Sequence, residues 1–370
     1  MKIAFIKIVD KYIIKEISKP FLMGIIIITI IMLSSFLFQL SDLIIIKKIP
    51  ISTVAKLLLY QLPQLIVQTF PIAVLFATTT SIGTLSKENE FTALRMGGVS
   101  LYRLMIPLII FGIIISIFTY IFNEEIVPWS THEAKMIMRE NIIKEASPEI
   151  KEDVFLKGPQ NKLFYVREYN KNKKELRDIV IYDLAKKNKA FPDIIIAQEG
   201  IISEVSWELK NGLIHEYDNG GKILLETQFN KMEFEALKET EKIFANQKTT
   251  DEMNRKELEK EITLFQRSGI NISSLLVDYH LKLAIPFTPF IFIFLGVPLS
   301  LNNKKGKGVN ILLSIVIIFS YYLILSLARS FGKNEMLPPL MAAWLTNIFF
   351  TVIGVFLLMW KEQWQNIIKK

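Results

Sequence analysis

At 370 residues, 51% of them hydrophobic, and with a mean hydropathy of +0.34, the chain is too apolar for an ordinary soluble protein. It has no cysteine, which excludes disulfide bonds, thiolate metal sites and a cysteine nucleophile. The formal net charge of +8 does not point to nucleic acid: residues 124–282 hold 25 basic and 29 acidic groups, the remainder 19 and 7, so the positive excess flanks the apolar parts.

Six stretches carry no Asp, Glu, Lys or Arg: 20–41, 57–86, 104–123, 283–303, 308–328 and 336–360. Each is long enough to cross a hydrocarbon core, which takes about 20 helical residues. The expected fold is therefore an α-helical membrane protein of six transmembrane helices with an inserted antiparallel β-domain, jelly-roll-like, on the outer side. Its divisions are 1–123 (an interfacial N-terminal helix, three spans and a short helical segment at 86–100), 124–282 (the insert with flanking helices) and 283–370 (three further spans and the C-terminus).

The first apolar run is too long for the h-region of a cleavable signal peptide, roughly 7–15 residues, so it is expected to remain as an anchor. Ahead of it Lys7, Lys11, Lys15 and Lys19 recur every fourth residue, a drifting basic stripe on a helix. Two readings fit: a face for anionic headgroups, or a solvated leader that sets topology. With the N-terminus inside, the inner short segments hold 14 Lys and Arg against 5 in the outer ones. Both termini are accordingly expected in the cytoplasm and the insert outside.

Within the insert, Lys162–Tyr169, Leu176–Leu184, Asp193–Gln198, Gly200–Val205, Leu213–Tyr217 and Ile223–Phe229 read as short strands. Asn211-Gly212 and Asn219-Gly220-Gly221 read as the turns between them. A helix is expected over Trp129–Ile143. A second should start at a capping box of Asn254 and Glu257 ahead of Leu258, Ile262 and Phe265, and stop at Gly269.

The chemistry-bearing motifs are few. There is no G-x-x-x-x-G-K-[ST] phosphate loop; Lys304-Lys305-Gly306-Lys307-Gly308 lacks its spacing and reads as a basic loop, so ATP hydrolysis is not expected of this chain. His132, His215 and His280 are too far apart for a zinc-protease motif, and no catalytic residue, metal or cofactor is assigned. The uncharged spans disfavour an ion-coupled carrier, which usually needs a titrating group at mid-membrane. Pro63, Pro71, Pro286, Pro289 and Pro298 allow bends useful in a cavity wall, or are tolerated kinks. In the segment Ser86–Ser100, Glu88 and Glu90 stand near the start of a short helix, Phe91 and Leu94 form an apolar pair, and Gly97-Gly98 closes it. Such a segment either docks a soluble partner or simply connects two spans.

The run Ser86-Lys87-Glu88-Asn89-Glu90-Phe91-Thr92-Ala93-Leu94-Arg95-Met96-Gly97-Gly98-Val99-Ser100 resembles the coupling helix of the lipopolysaccharide export permeases, the LptF/LptG (YjgP/YjgQ) family. Further matching stretches are Val127-Pro128-Trp129, Lys282-Leu283-Ala284-Ile285-Pro286, Val297-Pro298-Leu299-Ser300, and Leu337-Pro338-Pro339 with Trp344 and Asn347. Their order along the whole chain follows that family.

The resemblance implies a non-catalytic permease of an ABC exporter in the bacterial inner membrane. It would pair with a second permease of the same family, be powered by a cytoplasmic ATPase dimer (LptB), and pass lipopolysaccharide to periplasmic bridge proteins (LptC, LptA). By position, Glu90 matches the coupling-helix acid that meets the ATPase, with Glu88, Phe91 and Leu94 beside it. Basic residues near the outer span ends would meet lipid A phosphates, and Lys47, Lys48, Lys135 and Arg139 are the candidates. Family members can carry a basic residue near the end of the first span, where this chain has Gln39. Two readings from other classes stand beside this one: a secondary carrier built of inverted halves, and a membrane-anchored periplasmic binding or scaffold protein.

Overall fold

The computed structural model describes residues 2–41, 45, 49–142, 154–157, 162–170, 175–184, 191–202, 207–218, 221–234, 248–267, 271–301 and 307–367. Lys47, Lys48, Gly269, Asn219-Gly220 and Lys304-Lys305-Gly306, all named above, lie outside the described residues. The chain forms a helical unit and a second unit, residues 132–272, that carries the sheet.

The helical unit contains α1 (Lys2–Gln39), α2 (Ile51–Lys87), the short α3 (Glu90–Met96) and α4 (Leu101–Ile121). A π-helical turn, Phe122–Ile126, joins α4 to α5 (Val127–Ile142), which leads into the second unit. After the sheet come α7 (Ser273–Ala284), a 3-10 turn at Ile285–Phe287, α8 (Thr288–Ser300), α9 (Lys307–Lys333) and α10 (Pro339–Ile367); α6 (Arg255–Arg267) belongs to the other unit. Six helical segments are long and apolar enough to cross a membrane, at the places of the six uncharged stretches. The N-terminal segment is continuous with the first span through Pro20.

Burial divides these spans into two kinds. The most apolar window of α2 is 72% buried and that of α7–α8 67%, against 11% for α1 and 22% for α9. The second and fourth spans thus form the centre, while the first and fifth leave Ile26, Ile30, Ile31, Leu312, Ile315 and Phe319 uncovered. Apolar side chains facing lipid carry no solvation penalty, so these faces are stable in a bilayer as they stand.

The break in the fourth span has a polar partner. Asn347 of α10 donates its amide to the Ala284 carbonyl at 2.7 Å, just where Pro286 and the 3-10 turn interrupt the helix. The Tyr321 hydroxyl donates to Asn347 Oδ1 at 2.6 Å and meets Thr288 Oγ1 at 2.7 Å. All three side chains are buried.

The second unit is built on six antiparallel strands, each paired with its neighbour in chain order: β1 (Val154–Lys157), β2 (Lys162–Asn170), β3 (Glu175–Asp183), β4 (Asp193–Ile202), β5 (Trp207–Tyr217) and β6 (Ile223–Phe234). The sheet is strongly rolled. The Phe164 and Trp207 rings, on β2 and β5, lie 5.3 Å apart. Three flat strand spacings would separate those strands by roughly 14 Å. Inside the roll, Phe164, Val166, Ile179, Ile181, Ile195, Ala197, Trp207 and Leu209 make one core.

A crease explains the roll and corrects two sequence expectations. Ladder pairing skips Arg167, Asp178, Gln198, Asn211 and Asn230, which stand side by side on successive strands. Asp178 and Asn211, on alternate strands, take the left-handed conformation with φ of 49° and 52°. Asn211-Gly212 is therefore a bend within β5 rather than a turn between strands. The predicted pair Asp193–Gln198 and Gly200–Val205 is likewise one strand, β4, bent at Gln198. Gly212 is required there because a Cβ would overlap the Phe229 ring and the Ile196 carbonyl. Strand β1, absent from the sequence reading, pairs only with β2 among the described residues.

Candidate functional site

The segment between the second and third spans is a short helix held between two breaks. Helix α2 closes with the Glu88 N–H on the Thr84 carbonyl at 2.9 Å, and Asn89 then turns left-handed with φ 60°. Glu90 is therefore the first residue of α3, while Glu88 caps α2. At the far end Gly98, φ 88°, lets Val99 N–H reach the Leu94 carbonyl at 3.2 Å and its own N–H reach that of Arg95 at 3.0 Å. This is a Schellman close, and both Leu94 and Val99 pack against the helical core. The Ser100 hydroxyl accepts from Arg103 N–H at 3.3 Å to start α4.

The inner face of α3 is spent on the chain's own packing. Phe91 is buried among Ile13, Ile17, Phe21, Leu101, Leu104 and Met105, and Leu94 is packed against the same cluster. Neither forms the outward apolar pair expected from the sequence. A solvent-side partner would instead meet Lys87, Glu88, Asn89, Thr92, Ala93 and Met96, all exposed. Met96 is 79% exposed; it lies two residues after Leu94, off the Phe91–Leu94 face, and was not singled out from the sequence.

Helix α1 ties this region together. Its Ile13, Ile17 and Phe21 face the core, while Lys11, Lys15 and Lys19 are exposed. On the way past, Tyr12 donates its hydroxyl to Glu90 Oε2 at 2.6 Å, Asp10 pairs with Arg103 Nη2 at 2.6 Å, and the Glu16 carbonyl accepts from Ser81 Oγ at 2.9 Å. The N-terminal helix is thereby bonded to α3, α4 and α2. No sequence signal linked Tyr12 to Glu90, 78 residues away.

Lys135 and Arg139 stand on α5 with His132, three side chains spaced for one helix face, and all three meet a single buried carboxylate. Glu252 accepts from His132 Nδ1 at 2.8 Å, from Arg139 Nη2 at 3.1 Å and lies 3.3 Å from Lys135 Nζ. It also closes the 3-10 turn Thr250–Glu252 by accepting from the Thr249 N–H at 3.1 Å. Burial alone would push the Glu252 carboxyl up. The His132 hydrogen bond, the Thr249 N–H and the charges of Lys135 and Arg139 outweigh it, holding the group below its ordinary value. Behind this turn the expected capping box is present: Asn254 N–H donates to Glu257 at 3.1 Å and Glu257 N–H to Asn254 Oδ1 at 2.8 Å.

At the junction of α7 and α9 a related pattern occurs. Asp278, buried, receives Arg329 Nη2 at 2.8 Å and Lys333 Nζ at 2.9 Å. These are the basic residues that the sequence places at the outer end of the fifth span.

Comparison with known proteins sets this geometry in context. Residues 11–360 match the family model of the lipopolysaccharide export system permease LptF/LptG. The permease protein LptF of Escherichia coli strain K12 is 19% identical over 361 residues, spanning 95% of each chain. The LptF proteins of E. coli O157:H7 and Shigella flexneri show the same identity and coverage. Because that match takes in all six spans, the rolled sheet and the Glu90 helix together, the chain belongs to the LptF/LptG family of lipopolysaccharide export system permeases and is an integral inner-membrane protein.

Proposed function

We propose that this chain is the non-catalytic permease half of an ABC-type exporter that lifts lipopolysaccharide out of the inner membrane and delivers it to a periplasmic bridge. A separate cytoplasmic ATPase dimer, LptB-like, supplies the energy by moving α3. The observation that carries this reading is the construction of α3: set off from α2 by left-handed Asn89, closed at Gly98, anchored inward by Phe91, and presenting exposed Glu88, Asn89, Thr92, Ala93 and Met96 beside the Glu90 carboxylate. A short rigid helix on a span end transmits a push, whereas a flexible loop would absorb it.

The remaining parts fit the same scheme. Both termini lie in the cytoplasm and the sheet unit in the periplasm, as the Lys and Arg distribution favours. The uncovered faces of α1 and α9 suit a second LptF/LptG-type permease and the acyl chains held between the two. Lys135 and Arg139 gather with His132 around Glu252, a basic cluster of the kind that suits a lipid A phosphate. The rolled sheet offers strand edges at β1 and β6 to LptC-like and LptA-like bridge proteins.

The test is charge reversal at the dock. A Glu90→Arg chain should lose both copurification of the ATPase and lipopolysaccharide release from proteoliposomes. Normal capture and normal export by that variant would remove the docking assignment.

A further inference from the structure

The last turns of α2 run directly into α3, and three contacts on one face of those turns join them to α8 and α9. The Ser86 hydroxyl donates to the Leu301 carbonyl at the end of α8, at 2.5 Å. The hydroxyls of Thr79 and Ser314 of α9 share a hydrogen bond of 2.7 Å. Between them Gly83 lies flat against Asn310, so close that a Cβ at position 83 would overlap the Asn310 side-chain amide. Thr79, Gly83 and Ser86 are spaced four and three apart, so all three point the same way. Thr79, Ser86, Asn310 and Ser314 are all buried.

The Thr79 and Ser314 hydroxyls also reach carbonyls of their own helices, Leu75 at 2.9 Å and Asn310 at 2.9 Å, so the seam does not depend on their mutual bond alone. It is held by the close fit of Gly83 against Asn310 and by the Ser86–Leu301 bond, and close packing of small residues resists separation when the ends are pushed. Helix α9 is also, with α1, one of the two spans whose apolar faces are largely uncovered, which leaves it room to shift against whatever lies beside it.

We propose that Thr79, Gly83 and Ser86 are positioning residues, forming a rigid joint that carries a displacement of α3 into the fifth span, α9. The joint rests on the reading of α3 as the ATPase dock. The fit at Gly83 is what makes it rigid: the missing side chain lets the Asn310 amide sit against the α2 backbone, and the two flanking hydroxyl contacts fix rotation about that point.

The test uses the full chain reconstituted with its partner permease and ATPase in proteoliposomes, reading ATPase capture and lipopolysaccharide released per ATP separately. Gly83→Ala should leave ATPase capture intact and lower release per ATP by about tenfold, as overpacking displaces Asn310. Adding Asn310→Ala to it should recover most of that loss, because the second change removes the overlapping amide. Normal release by Gly83→Ala, or a loss that Asn310→Ala does not repair, would overturn the joint.

A second measurement does not depend on packing tolerance. The chain has no cysteine, so a Thr79→Cys/Ser314→Cys pair would be its only two thiols. Oxidation should cross-link the pair and leave export within about twofold of the reduced form, since the joint moves as one piece. Export lost on oxidation and regained with reductant, or no cross-link at all, would show that the seam opens during the cycle or is not closed. Failure of the docking reading is separate: it would appear as unchanged ATPase capture in Glu90→Arg, whatever the seam variants do.

Discussion

The Tyr12 hydroxyl and the Glu90 carboxylate meet at 2.6 Å, joining the N-terminal helix to the first residue of α3. One lobe of the carboxylate is thereby oriented, and the other is left to a partner. A hydrogen bond to an ionised group at a partly exposed position contributes about 1 kcal/mol. Tyr12→Phe should therefore leave the chain folded and weaken ATPase capture by roughly fivefold, a change readable as a shift in a binding titration. Unchanged affinity would mean that Glu90 is oriented from α3 alone.

Met96 leads to a second expectation at the same surface. On the proposed docking surface, a side chain 79% exposed is a natural knob for a groove in the partner. Met96→Glu should lower ATPase capture about tenfold with no change in melting temperature, because nothing in the chain's own core loses a contact. Phe91→Ala should behave oppositely, melting several degrees lower through loss of a buried ring.

The Glu252 cluster predicts an acid-side dependence. The carboxyl is held below its ordinary value in the folded chain, so between its folded and unfolded values the unfolded state binds more protons and stability rises with pH. The contribution is complete above the unfolded value, near 4.5, and is lost only as pH falls through the folded value. Glu252→Gln should remove this acid limb and cost about 2 kcal/mol at neutral pH. That is less than the 3–5 kcal/mol typical of an orphaned buried charge, because Lys135 and His132 are partly solvated. Melting curves of wild type and variant, run from pH 8 down through the folded value below 4.5, would show the two converging at the acid end.

Much of the architecture was legible because the bilayer imposes a coarse rule that survives local ambiguity. An uncharged run of sufficient length has few alternatives to a spanning helix, and all six were found where the charges stop. The capping box at Asn254 and Glu257 was equally legible, since its two bonds depend only on residues three apart. The sheet was read less well. Asn211-Gly212 satisfies the local chemistry of a hairpin turn, and only pairing on both sides of β5 reveals a crease instead. At the candidate site, the acidic residues ahead of an apolar pair marked a short helix, and Glu90 was singled out by the family resemblance, but the direction of Phe91 was not legible. A seven-residue helix has one apolar face whether it points at a partner or at its own core. Tyr12, Glu252 and Asn310 depend on contacts far apart in the chain and left no trace in spacing.

The broken fourth span gives the last expectation. Asn347 both donates to the freed Ala284 carbonyl and accepts from Tyr321, which in turn meets Thr288, so one side chain closes a chain of bonds across three spans. Asn347→Leu keeps the volume approximately but takes the Asn347 amide from the Ala284 carbonyl and leaves the tyrosine hydroxyl with Thr288 alone. Interhelical hydrogen bonds in membranes contribute only about 0.6 kcal/mol on average, but here one side chain makes two buried bonds, so about 2 kcal/mol is expected. Tyr321→Phe should cost less, about 1 kcal/mol, because the Asn347 bond to Ala284 survives it. In the double variant the Tyr321 contribution should shrink, since its hydroxyl has already lost Asn347 and keeps only Thr288, and melting temperatures of the four chains in one detergent would give the coupling. Additive losses would mean that Asn347 and Tyr321 stabilise the break independently, and that the 3-10 turn at Ile285–Phe287 is held by its prolines alone.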